Sequence, residues 1–200
     1  MGVQVLGWCA AAAGSCTALP QLWRIHRTRR TTGVALPLWQ MTLCTGIAWA
    51  LHGAHGGRMQ MISSNLVVVA AALAVLISVQ RQRRLSRSRV FGPPSLAGLA
   101  LGLADAGLPG FVFGLLCLAP AVMGQAVQSR SLLRQPDIQG VSAGYLLTNL
   151  FVQILWLRWS FLAVDSATTW CAAATACAIA ANVALYVSRR AGWLSVPAIV

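Results

Sequence analysis

Trp49 and Asn65 stand 16 positions apart. The asparagine carboxamide carries two donors and an acceptor. Inside an apolar segment it must face a helix bundle or a water-filled cavity, because lipid offers it no partner. There it either bonds a neighbouring helix or receives a polar solute. Trp49 presents a broad apolar face with one donor. It reads either as an interfacial belt residue or as a stacking surface for the C–H groups of a solute. Trp156 poses the same choice in the second half of the chain. Pro20 and Pro120 lie in or near apolar runs. Proline deletes a backbone N–H and bends a helix, so each is a static kink or a hinge. Gln21 is then a polar partner at the first kink or a helix-end residue.

The remaining reactive groups are sparse. His52 and His55 could bind a metal or sense pH, but no third ligand is evident, and a solvated loop just beyond an apolar run is the simpler expectation. Asp105 is an intramembrane proton site if buried; beside Gly107 and Pro109 it reads better as a loop acid. Asp165 reads as a loop acid too. The six cysteines sit in apolar runs without a CxxC pair, which argues against a redox centre or disulfides. No phosphate-binding loop, dinucleotide fingerprint, HExxH or GxSxG motif occurs. The expectation is a protein that is not an enzyme and uses no metal or cofactor.

The elements that must position these residues are membrane helices. Of 200 residues 58% are hydrophobic and 9% charged, too few charges to clothe a soluble domain. Residues 3–23, 34–51, 59–80, 110–128, 141–157 and 166–187 are uncharged runs of 17 to 22 residues, long enough to cross a bilayer as helices. The run 90–108 is doubtful, with Gly92, Pro93 and Pro94 at one end and Asp105 at the other. The net charge of +12 invites a nucleic-acid reading, but its distribution opposes it. If 90–108 spans, 13 of the 15 arginines share one face, with Arg58 and Arg158 opposite. If it does not, the split falls to ten against five. The positive-inside rule therefore favours seven helices, an outside N-terminus and a cytoplasmic C-terminus. The first run lacks the basic start of a signal peptide. Arg81, Arg83, Arg84, Arg87 and Arg89 form a juxtamembrane cluster suited to anionic lipid.

A repeat is also present. Leu19-Pro20-Gln21, an arginine-rich loop, Thr32-Gly33-Val34-Ala35, an apolar run and Trp49 are echoed by Ala119-Pro120-Ala121, a polar loop, Gln139-Gly140-Val141-Ser142, an apolar run and Trp156. Gly33 to Trp49 and Gly140 to Trp156 are both 16 positions. The fold class expected is an all-α integral membrane protein: two parallel three-helix units joined by a linker helix, 3+1+3. The segments are 1–81 for the first repeat, 82–108 for the basic loop and linker, 109–190 for the second repeat and 191–200 for the tail.

Pro20-Gln21, the basic loop, Thr32-Gly33-Val34, Trp49, Gly53 and Asn65 resemble the PQ-loop repeat of the SWEET and SemiSWEET sugar transporters. The resemblance covers residues 6–80 well and 116–187 more weakly. It implies a multi-pass carrier in the cell membrane that moves a mono- or disaccharide by alternating access, with Trp49, Asn65 and Trp156 at the solute and Pro20, Gln21 and Pro120 as hinges. The second repeat departs from the pattern: Ala121 replaces glutamine, and Ala172 stands where an asparagine would match Asn65. An amino-acid carrier of the PQ-loop group and a non-transporting receptor of the same fold are the alternatives. Two repeats in one chain make a homo-oligomer possible but not required. The arginine-for-lysine bias and alanine richness point to a bacterial source.

Overall fold

The computed structural model describes residues 2–18, 22–23, 25, 27, 31, 34, 36–134, 138, 141 and 143–194. Among them are seven α-helices and no strand: α1 Gly2–Ser15, α2 Leu36–His55, α3 Met59–Arg83, α4 Arg87–Ala104, α5 Gly110–Arg134, α6 Ala143–Ala163 and α7 Ser166–Arg190. Short 3₁₀ turns, Cys16–Ala18 and Asp105–Gly107, follow α1 and α4. The chain divides into two compact units, residues 1–113 and 114–200. Helices α3, α5 and α7, with residues Leu146–Ala163 of α6, are each long and apolar enough to cross a membrane. The chain is a multi-pass membrane protein.

The first unit is built around the α2–α3 hairpin. Its turn needs Gly57, whose φ of +63° lies in the left-handed region that glycine tolerates. Small residues let the helices close. A Cβ on Gly53 would meet the Met61 Cβ at 2.9 Å, and one on Gly46 would meet the Val69 side chain at 2.9 Å. Close backbone approach through such residues is the usual means of packing helices in lipid, where burial of apolar surface supplies little. Leu43, Ala72, Leu76 and Val90 form a buried cluster with Trp39 against it. At the other end of the hairpin, Arg83 donates from NH2 to the carbonyls of Thr31 (2.9 Å) and Val34 (2.7 Å). Gln82 Oε1 accepts from the Thr31 N–H and hydroxyl. Thr31 and Val34 are thus tied to the end of α3.

Helix α4 runs through the two prolines that make its sequence doubtful. Pro93 and Pro94 cannot donate to the carbonyls four residues earlier, those of Arg89 and Val90. Gln40 on α2 fills both gaps: its Nε2 donates to Arg89 O and Val90 O at 3.0 Å each. The buried residues of α4 are Val90, Pro94, Gly98 and Gly102, a four-residue spacing that keeps one small-residue stripe on one face. A Cβ on Gly98 would strike the backbone of Cys44, and one on Gly102 the side chain of Leu51, so the stripe lies against α2. The linker helix, expected as part of a separate segment 82–108, therefore belongs to the first unit. It also begins and ends a few residues earlier than the apolar run 90–108 suggests.

The second unit repeats the plan. The starts of α2 and α3 lie 107 positions before those of α6 and α7, and α3 and α7 end 107 positions apart. The bond from Val34 N–H to Thr31 O (3.1 Å) recurs as Val141 to Ile138 (3.0 Å), again displaced by 107 positions. Gly114 on α5 lies directly against the Ala167 carbonyl of α7. Asp165 caps α7, accepting from the Thr168 N–H (3.1 Å) and hydroxyl (2.8 Å). The acid expected in a loop is a buried helix cap.

Candidate functional site

In the first unit the last two turns of α2 carry the site. Trp49 and His52 are one turn apart on that helix, so their rings face the same way. The indole meets the His52 imidazole edge-on, with centroids 5.4 Å apart and an interplanar angle of 89°. Phe113 completes the group. It stacks on His52 at 4.9 Å and 14° and meets Trp49 edge-on at 5.1 Å and 83°. Phe113 is fully buried. Such edge and offset contacts suit the charge distribution of aromatic rings.

A polar cluster holds the other edge of His52. Its Nδ1 lies 2.8 Å from Asp105 Oδ2, and His55 Nδ1 lies 3.3 Å from the same oxygen. Arg58 NH1 lies 3.2 Å from His52 Nε2. The Asp105 side chain is 7% exposed and that of His52 11%. The histidines expected in a solvated loop are instead the last turn of α2, because the helix continues four residues past Leu51 before the glycine turn. Asp105, expected as a loop acid, opens the 3₁₀ turn after α4 with its carboxylate turned inward. Among the described residues no group of three or more His, Cys, Asp or Glu side chains could hold a metal ion.

Asn65 lies on α3, half-buried. Its Nδ2 donates to the Met61 carbonyl of its own helix at 2.9 Å. That bond occupies one donor and fixes the carboxamide without drawing on another helix. No hydrogen bond from a described residue reaches Oδ1.

The second unit answers the first ring for ring. Trp156 meets Trp159 edge-on at 5.5 Å and 90°, one turn apart on α6. Trp156 is 107 positions from Trp49, and Trp159 is 107 positions from His52. Trp159 is only 1% exposed. The position matching Asn65 is Ala172, buried. A different carboxamide is buried instead. Asn182, with no exposed surface, accepts at Oδ1 from the Ser129 hydroxyl (2.7 Å). Its Nδ2 donates to Gln125 O (3.1 Å) and Gln125 Oε1 (2.9 Å). This network joins α7 to α5.

Of the expected hinge residues, Pro20 and Gln21 lie outside the described residues. Pro120 lies within α5, whose helix continues past it. In the 107-position register Pro120 falls opposite Ala13, seven positions short of Pro20, so the two prolines are not equivalent. The sequence reading missed the Asp105 cluster and the Gln125–Ser129–Asn182 network. The one signal for the former was an acid in a chain with only three.

Comparison with known proteins agrees with this geometry. Residues 2–53 match the family model of the PQ loop repeat. No curated protein matches the chain. A solved structure of a eukaryotic SWEET transporter superposes with a TM-score of 0.73 over 96% of this chain and 100% of that one, at 14% identity. The chain therefore shares the seven-helix, 3+1+3 fold of that transporter structure, and its residues 2–53 are similar to a PQ loop repeat.

Proposed function

We propose that the chain is a small-solute carrier of the cell membrane, with a mono- or disaccharide as its solute, working by alternating access between its two three-helix repeats. The observation that carries this reading is the recurrence of one edge-on aromatic pair, Trp49 with His52 and Trp156 with Trp159, at the same register in both repeats of a transporter fold. Each indole offers a flat apolar face to the C–H side of a sugar ring, and the Oδ1 of Asn65 offers an acceptor to a hydroxyl. Pro120 serves as a bending point in α5, and Pro20 with Gln21 as a separate, non-equivalent one in the first repeat. The arginine asymmetry supports an outside N-terminus, a cytoplasmic C-terminus and, with the arginine bias, a bacterial source. Arg81, Arg84, Arg87 and Arg89 are exposed and suit anionic headgroups, whereas the Arg83 guanidinium is already engaged by backbone carbonyls. One chain contains both repeats, so a homo-oligomer is allowed without being required.

The amino-acid carrier of the same group has one observation in its favour, the inward carboxylate of Asp105, which could meet a substrate ammonium. That carboxylate is already bonded by two imidazoles, and the sugar reading stands ahead of it. Uptake into proteoliposomes decides. Radiolabelled glucose or sucrose should equilibrate. Trp49→Ala and Asn65→Ala should each reduce uptake at least about tenfold, the equivalent of about 1.4 kcal/mol of binding, with folded protein recovered in both cases. Uptake of amino acids alone would replace the sugar reading, and folded protein that moves neither class would remove the carrier reading.

A further inference from the structure

The hydrogen bonds around His52 settle which form of its ring the site uses. Arg58 can only donate, so His52 Nε2, 3.2 Å away, accepts and carries no proton. The proton of the neutral ring is then on Nδ1, where it donates to Asp105 Oδ2 at 2.8 Å. Charged and titratable groups that face this ring include Asp105, Arg58 and His55. Asp105 comes from the 3₁₀ turn, Arg58 from the turn between α2 and α3, and His55, through Asp105, from the end of α2. The ring's faces and edge are held by Phe113 and Trp49.

We propose that His52 is a positioning residue for Trp49 and makes the solute site acid-sensitive: the neutral ring, gripped by Asp105 and Arg58, holds the indole in place, and a proton on Nε2 breaks the Arg58 bond and releases it. This rests on Trp49 being a stacking face for the solute. A protonated Nε2 has no lone pair for the guanidinium and sets two cations side by side. The ring then leaves the geometry in which it stacks on Phe113 and backs Trp49. The second repeat has Trp159 at the matching position, which cannot titrate, so acid acts on one repeat only.

Two measurements on the full-length protein test this. In the first, protein isotope-labelled on histidine and tryptophan is titrated in nanodiscs from about pH 8 to about pH 5, the range in which histidine changes charge. His52 should be the Nδ1–H tautomer at the alkaline end. The Trp49 indole resonance, assigned with Trp49→Phe, should move along the His52 titration curve and stop moving in His52→Gln. A Trp49 signal that ignores pH, or that follows His55, overturns the proposal. In the second, glucose uptake into proteoliposomes should fall about tenfold per pH unit below an inflection. His52→Gln should flatten the profile. Arg58→Met should move the inflection to higher pH, because the cation opposing the proton is gone, and Asp105→Asn to lower pH. Uptake with the same pH profile in the parent and His52→Gln overturns the proposal. Absence of uptake at every pH defeats the carrier reading, while the indole titration still judges the positioning of Trp49.

Discussion

The three asparagine and aspartate groups that matter occupy different environments, and substitution should separate them. Asn182 is buried and makes three hydrogen bonds to α5. Asn182→Ala deletes all three and leaves Gln125 and Ser129 without that partner. A cost of about 1–2 kcal/mol is expected for polar contacts of this kind between membrane helices, read as a lower unfolding midpoint in detergent. An unchanged midpoint would show that the network is incidental. Asn65 spends its donor on its own helix, so Asn65→Ala should leave that midpoint nearly untouched while reducing uptake. Asp165→Ala removes a buried cap worth about 1 kcal/mol; Asp165→Asn, which keeps an acceptor for the Thr168 N–H, should recover about half of that. At this scale the sequence was informative about residue type and poor about partners. Trp49 and Trp156 stand out by their matched spacing from a glycine, and Asn65 by the family resemblance. The bond from His52 to Asp105 spans 53 positions, and nothing local announces it.

The helices were legible because lipid demands long uncharged runs, and six of the seven follow from counting charges. The seventh, α4, illustrates why counting fails. Its buried stripe contains a proline and two glycines, residues of poor helix propensity, and what recommends them is the close fit to α2. Gly98→Leu and Gly102→Leu should therefore destabilise the first unit far more than Leu99→Gly, which alters the exposed face of the same helix despite inserting a worse helix former. Thermal melts of the three variants compare them directly; a larger loss in Leu99→Gly would show that propensity, not approach to α2, governs α4. The end of α2 was also misjudged. Histidines look like loop residues when only hydrophobicity is scored, yet the helix has no reason to stop before the Gly56-Gly57 turn.

For the whole molecule the arginines argue best. Thirteen of them fall on one face only if α4 crosses the membrane, and the structure supplies a helix there. The orientation that follows is open to a simple check. A green fluorescent protein fused after Val200 should fluoresce, since it folds poorly once exported unfolded, and a periplasmic reporter at the same place should stay silent. The reverse pattern would overturn the assignment. The 107-position register was partly visible in the two 16-residue spacings from glycine to tryptophan. It was misread where prolines were matched by type, because chain distance rather than residue identity defines equivalence between repeats.

Gln40 has a consequence for how such a chain is made. In a nascent α4 the two prolines leave the carbonyls of Arg89 and Val90 without a partner in their own helix. Among the described residues, the side chain that answers both was synthesised some fifty residues earlier. A nascent α4 is therefore an incomplete object until α2 stands beside it in the correct orientation. The depth of α4 against α2 is thereby written into one side chain: an α2 displaced along its axis would carry Gln40 out of reach of both carbonyls.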